Sequence, residues 1–261
     1  MSKTIWSFLL FSALSLFFLP CGVAEGSEIH KIRERGMLRV GVYAEAPGLS
    51  FRDPKTRSIN GLEMDIAQTV ARKILGASGR VEIKEASNPA QRGQLLDEGD
   101  VDIVIANFSI TEERKHIYSF SEAYYSDNIS MMVRMGSGIR NFYDLRNKRV
   151  GVARNTTGEK TARQQMRERG LNFQVKEFIS NAMVKAALDA GEIDCFITDY
   201  SILRGYIEPG LIVLPERLST EYYGVAAKKE HIALVALINS VLDELRANGE
   251  LDTMLRKWNL Y

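Results

Sequence analysis

The sequence predicts an α/β chain of two lobes, each carrying a doubly wound, largely parallel sheet, with two extended strands crossing between them. An internal repeat is the first observation. Residues 96–110 (LDEGDVDIVIANFSI) and 188–202 (LDAGEIDCFITDYSI) agree at seven of fifteen positions, and Arg39-Val40-Gly41-Val42 recurs ahead of the second copy as Arg149-Val150-Gly151-Val152. The second is the alternation of β-branched runs with helical segments, the pattern of right-handed βαβ units. The third is a pair of long extended segments with no turn signal, 124–134 between the repeats and 222–228 after them. If the last helices return to the first unit, the chain crosses twice and leaves a crevice between lobes. The expected division is 25–127 with 219–261 for one lobe and 128–218 for the other.

The first 24 residues stand apart. Lys3 is their only charge, residues 5–20 are almost wholly apolar, and Gly22, Val23 and Ala24 follow. Such a run, shorter than the ~20 residues a spanning helix needs, reads as a secretory signal cleaved after Ala24. Cys21 offers lipid anchoring as the alternative, against which Pro20 counts. The mature protein is then expected in the periplasm. Residues 38–42 and 150–152 read as buried strands. Residues 62–75 place Ile66, Val70 and Ile74 on one helical face, with Gly76 as a stop. A helix at 90–97, closed by Gly99, leads into an apolar strand at 101–106. The second unit repeats the order, with helices at 157–169 and 182–190 closed by Gly170 and Gly191, and a strand at 193–198. Helices at 231–248 and 251–258 end the chain, the last with Met254, Leu255 and Trp258 on one face.

Composition excludes several classes. With 45% hydrophobic and 26% charged residues, the 261-residue chain can bury a core. Lys and Arg number 34 against 33 Asp and Glu, which argues against a nucleic-acid binder. Two Cys exclude a disulfide scaffold, and three scattered His (His30, His116, His231) give no His-rich metal site. No cofactor or metal is expected.

Ligands of open α/β sheets sit beyond the carboxyl ends of the strands. The repeat places Asn107 and Asp199 there, one per lobe. Asp199 can receive a cationic group or cap a turn. Past Asn107 and Ser109, Thr111 can cap a helix with Glu112 and Glu113 in its first turn. Arg114, one turn on, can reach the same strand ends as a bidentate carboxylate partner, or pair with those glutamates. Thr156 and Thr157, after the second RVGV strand, open a helix whose N-terminus suits an anion. Leu49, Phe51, Tyr43 and Phe108 can form an apolar wall, or core. An arginine and a helix N-terminus call for a carboxylate, and an aspartate calls for an ammonium. Those are the two ends of a free amino acid.

The motifs GMLRVGV, PGLSF, INGLEMDIAQTVARKIL, LDEGDVDIVIANFSITEERK, YSFSEAYY, DLRNKRVGVARNTTGEK, AALDAGEIDCFITDYS, EYYGVAAKK and NGELDTMLRKW cover nearly all of residues 29–261. Together they resemble the type 3 family of bacterial extracellular solute-binding proteins, the amino-acid receptors of ABC importers. The resemblance implies a two-lobe, periplasmic-binding-protein-like fold that closes on its ligand. It implies that Arg114 binds the α-carboxylate with backbone N–H groups near Ser109, Thr111 and Thr157, and that Asp199 binds the α-ammonium with Asn107 or Ser109. Leu49, Phe51, Phe108, Ala153 and Arg154 would contact the ligand side chain. The chain departs from the usual pattern at Glu63 (commonly Asp), Asn155 (commonly Gly) and Leu49 (commonly aromatic). The implied partners are a free amino acid or similar small polar ligand and an inner-membrane ABC permease. A monomer with no nucleic-acid partner and no enzymatic activity is expected. Two alternatives are a cyclohexadienyl-dehydratase-like enzyme and a sensory ligand-binding protein. The enzyme would have a Glu three residues past Asp199, where this chain has Ile202.

Overall fold

The computed structural model describes residues 26–260; the leader read at 1–24, with Cys21, lies outside them. The described residues open with α1 (Ser27–Arg35), which buries Ile29 and Ile32, and β1 (Met37–Val42). A small antiparallel sheet follows, made of β2 (Glu45–Ala46), β3 (Ser50–Arg52) and β4 (Ile59–Asn60). In α2 (Leu62–Leu75), Leu62, Ile66, Val70 and Ile74 recur every fourth residue and face the core. β5 (Arg80–Glu85), α3 (Gln91–Asp97), β6 (Ile103–Val104) and the short α4 (Glu112–Ile117) complete the first unit. β7 (Tyr118–Arg134) then crosses to the second unit, beginning earlier than the turn-free segment suggested.

The second unit holds β8 (Arg149–Ala153), α5 (Thr157–Glu168), β9 (Gln174–Phe178), α6 (Asn181–Asp189), β10 (Cys195–Asp199), α7 (Tyr200–Gly205) and β11 (Leu211–Val213). β12 (Ser219–Lys228) crosses back. α8 (Ile232–Ala247) and α9 (Glu250–Lys257) then return to the first unit. There Leu234, Ile238, Val241, Leu242 and Leu251 share a core with α1, α2 and β1. A separate core in the second unit gathers Ile129, Met131, Phe142, Val150, Cys195 and Ile197.

β1 pairs in parallel with β5 and β6, and β8 with β9 and β10. The two expected sheets are fused along the crossing strands, in the order β5-β1-β6-β12-β7-β10-β8-β9, with β11 also on β7. Seventeen residues of β7 reach about 56 Å at ~3.3 Å each, long enough to serve both lobes. β7 and β12 run antiparallel from Ser219 opposite Ile129 to Lys228 opposite Tyr118, with irregularities around Gly224.

The internal repeat has a structural cause. Arg39 at the start of β1 binds Asp102 before β6, through its backbone N–H (2.9 Å) and guanidinium (2.8 Å). Arg149 and Asp194 repeat both bonds between β8 and β10, at 2.8 and 2.7 Å. Each RVGV thus joins its strand to the buried strand of the repeated segment. Gly41 and Gly151 leave room for the covering side chains: an added Cβ would lie 2.8 Å from Val104 and 2.3 Å from Ile193.

Gly61, just ahead of α2, has φ +141°, and a Cβ there would lie 1.9 Å from the Leu49 carbonyl oxygen. Neither the conformation nor the space admits a side chain. Gly61→Ala is expected to cost about 3 kcal/mol of stability, read as a lowered urea midpoint. A midpoint within error of the parent would refute this account of the turn.

Candidate functional site

The two repeated strand ends come together, close enough for the charges of Arg114 and Asp199 to interact. Beyond β6 the backbone turns at Asn107, which takes a left-handed φ of +39°. Its N–H donates to Glu63 Oε1 of α2 at 2.6 Å. Glu63 is fully buried and also accepts from the Tyr124 hydroxyl (2.6 Å) and the Ser50 hydroxyl (2.5 Å). Burial raises its pKa, and those hydrogen bonds oppose the rise. The glutamate that departs from the usual pattern therefore ties β3, α2, β7 and the β6 end together. Asn107 Oδ1 is buried without a hydrogen-bond partner among the described residues. Such an acceptor costs free energy until a donor reaches it.

Phe108 and Ser109 follow. Thr111 caps α4 by accepting the Arg114 N–H at 3.2 Å, as expected. The cap turns the Arg114 side chain back over the strand end. Its Nη1 donates to the Ser109 carbonyl at 2.8 Å, and its guanidinium stands 4.3 Å from the Phe108 ring centroid. Burial, and then the neighbouring Arg92, lower the Arg114 pKa to about 9, while Glu221, Asp199 and Glu113 act in the opposite sense. A guanidinium does not deprotonate near neutral pH. The shift therefore records chiefly a cation drawn out of water.

From the other lobe, Thr156 caps α5. It accepts the Glu159 N–H at 3.2 Å and donates to the Ala153 carbonyl at 2.7 Å. Asn155 just before it takes φ +63°. Asparagine tolerates this left-handed turn, which explains how it can stand where glycine is usual. Thr157 Oγ1 meets Ser109 Oγ of the first unit at 3.3 Å. Asp199, at the end of β10, is buried and accepts the Tyr223 hydroxyl at 2.5 Å. Burial first, then the Asp127 charge, push the Asp199 pKa up to about 7.

Four residues assigned to the ligand's side chain lie elsewhere. Leu49 is fully buried in the first-lobe core, because the β2–β3 turn points it inward. Phe51 stands edge-on to Trp258, with centroids 5.9 Å apart, in a groove with Pro47, Arg204 and Lys257 that Arg114 and Asp199 do not line. Arg154 lies past the end of β8 and is exposed. Ala153 is buried in the second-lobe core. Phe108 alone of that set joins the cluster.

Sequence reasoning missed Arg92, Asp127 and Tyr223. Arg92 is buried on α3, donates to the Ala106 and Asn107 carbonyls at 3.1 and 3.0 Å, and lies 5.0 Å from the Phe108 ring. It thus fixes the β6 end that carries Asn107. The signal was present in the sequence: Arg92 shares the apolar face of its helix with Leu95 and Leu96. Asp127 likewise falls on the inward-facing alternation of β7 with Ile129, Met131 and Val133.

The profile of the bacterial extracellular solute-binding proteins, family 3, matches residues 38–261. The chain belongs to that family. Its solute-binding receptor role follows, on the two-lobe fold. The Bacillus subtilis (strain 168) ABC transporter glutamine-binding protein GlnH is 28% identical to this family 3 chain, over 98% of it and 97% of the relative. A crystal structure of a mutant of ArgBP from T. maritima superposes with a TM-score of 0.81 at 30% identity, over 90% of this chain and 100% of that one. The ancestral amino acid-binding protein AncCDT-1, a precursor of cyclohexadienyl dehydratase, superposes with a TM-score of 0.77 at 26% identity, over 88% and 98%. No helix among the described residues is long and apolar enough to cross a membrane.

Proposed function

We propose that this protein captures a free amino acid between its lobes outside the cytoplasm and delivers it to an inner-membrane ABC permease. Arg114, with Thr157 and the first turn of α5, receives the α-carboxylate; Asp199, with Asn107 Oδ1, receives the α-ammonium. Ser109, Thr111 and Thr156 hold these groups in place. Phe108 forms the apolar wall. The observation that carries the reading is the meeting of an arginine stacked on Phe108 at one strand end with a buried carboxylate at the other, where Ser109 and Thr157 of the two units lie 3.3 Å apart. A zwitterion supplies each with the charge it lacks. The lobes divide at the crossing strands, as 25–127 with 219–261 and as 128–218, and the protein acts as a monomer after cleavage of the leader. We assign it no bond chemistry. Ile202, three residues past Asp199, is buried in the first-lobe core, and burial raises the pKa of Cys195 far above neutrality.

A thermal-shift screen of the twenty amino acids, with L-glutamine first, tests this reading. At a hundredfold excess over Kd the bound amino acid is expected to add about 2.7 kcal/mol, which at this chain length is a shift of roughly 5–10 °C. Asp199→Asn is expected to abolish that shift. A full shift in this variant would remove Asp199 from the site, and no shift with any amino acid would overturn the reading.

A further inference from the structure

The Tyr223 hydroxyl stands between two carboxylates. Its Oη lies 2.5 Å from Asp199 Oδ1 and 3.1 Å from Asp127 Oδ2, and all three residues are at most 6% exposed. One phenol carries one hydrogen, so it serves one of these contacts. With both carboxylates ionised, the other contact sets a lone pair against a negative oxygen where little water can intervene. A second proton resolves the array, and the surroundings decide where it sits. Asp127 accepts the Asn128 N–H at 2.7 Å and the Ser201 N–H at 3.1 Å. Two backbone donors thus already point at its oxygens. Asp199 has, among the described residues, besides Tyr223 only the Thr198 hydroxyl at 3.4 Å.

We propose that Asp127 is a positioning residue for the ammonium site: through Tyr223 it keeps a proton on Asp199 until an amino acid arrives, so that capture of the ligand ammonium releases that proton to water. The inference rests on the reading of Asp199 as the ammonium partner. In the ligand-free protein the order of donation is Asp199 to Tyr223 to Asp127. The ligand ammonium arrives already protonated and takes the place of the Asp199 proton. The Tyr223 hydrogen then turns to the ionised Asp199, and one proton leaves. The facing charges agree. Asp199 is met by Asp127 from β7 and Glu221 from β12, both acidic, and by Arg92 of α3, while Arg114 of α4 also feels Asp199. Three carboxyl groups against two guanidinium groups leave one negative charge, which the proton removes. The rise of the Asp199 pKa to about 7 is consistent with this placement.

The sign follows from linkage. Binding needs ionised Asp199, so affinity falls about tenfold per pH unit below the pKa of the ligand-free form and is flat above it. Calorimetry with L-glutamine, or with the amino acid giving the largest thermal shift if L-glutamine gives none, in buffers of different ionisation enthalpy reads the proton directly. About one proton should be released near pH 6 and almost none near pH 8.5, with the apparent Kd about tenfold weaker near pH 6 than near pH 8. In Asp127→Asn the negative charge facing Asp199 is gone while the side-chain oxygen still accepts the Ser201 N–H, so Tyr223 is free to donate to Asp199, and both the release and the pH dependence should shrink markedly. Should that variant not fold, a carboxyl ¹³C titration of the ligand-stripped wild-type protein decides the matter, because Asp199 should titrate near neutrality. Ligand binding near pH 6 without buffer-dependent heat, an Asp199 signal that titrates in the ordinary aspartate range, or an unchanged release in folded Asp127→Asn would each overturn the proposal. Retained binding by Asp199→Asn would instead overturn the ammonium reading beneath it.

Discussion

Replacing Arg114 with alanine is expected to remove nearly all amino-acid binding while leaving the ligand-free protein about as stable as before. Truncating one partner of a buried, hydrogen-bonded charge pair costs about 2–5 kcal/mol, or roughly thirtyfold to several thousandfold in Kd. Part of that loss is the ligand carboxylate left desolvated without a partner. The stability half of the expectation has a separate cause. The guanidinium is part-buried, and burial, then the neighbouring Arg92, lower its pKa to about 9. Removing a charge under that strain offsets the lost bond to the Ser109 carbonyl and the lost contact with Phe108. The expected net change is within about 1 kcal/mol, as is common where a site is tuned for binding rather than stability. Arg114→Lys keeps the charge but loses the planar fork, so it should fall between parent and alanine variant. Calorimetry and urea unfolding of the same preparations check both halves. Undiminished affinity in Arg114→Ala would falsify the carboxylate assignment.

The same residues show what the sequence could and could not convey. The placement of Asp199 at the end of a repeated apolar strand was legible from the repeat, and the caps at Thr111 and Thr156, with Arg114 one turn past the first, were legible from local chemistry. α2 was legible to the residue because its fourfold spacing ends at a glycine. Elements with little apolar patterning were not anticipated. β5 reads RVEIKE and is mostly exposed, and β2 and β4 have two residues each. Such strands are fixed by their neighbours rather than by their own side chains. The wall of the site failed for a related reason. Leu49 and Phe51 lie two residues apart, yet one enters the core and the other turns to Trp258, because a short irregular hairpin sets their directions. Tyr223 escaped because its role arises from pairs distant in sequence, and so does the role of Arg92, although its place on an apolar helix face was a signal. A guanidinium on strand-end carbonyls and a hydroxyl between two aspartates exist only once the strands are assembled.

Glu63→Ala is expected to have the largest effect on stability of any single change considered, about 3–5 kcal/mol, or roughly 10 °C in Tm. The variant removes the acceptor for a buried backbone N–H at Asn107 and the partner of two buried hydroxyls, Tyr124 and Ser50, and it leaves a cavity. It also frees the left-handed turn at Asn107, so ligand affinity should fall with stability although Glu63 touches no ligand. Glu63→Gln separates shape from charge. The amide can accept from Asn107 and Tyr124 through its oxygen and donate to Ser50 through its nitrogen. The geometry is then kept without a buried titratable group. The pH dependence tells the two apart. Because burial raises the Glu63 pKa in the folded state, the folded protein binds more protons than the unfolded chain between the ordinary glutamate value and the raised one. Its contribution to stability is therefore fully present below the ordinary value and is lost as pH rises through that window. The glutamine variant lacks this loss, so its stability relative to wild type should improve steadily from acidic to neutral pH. A constant difference between the two proteins across that range would mean that the carboxyl keeps its ordinary pKa despite burial, and that its three hydrogen bonds fully replace the water it lost on folding.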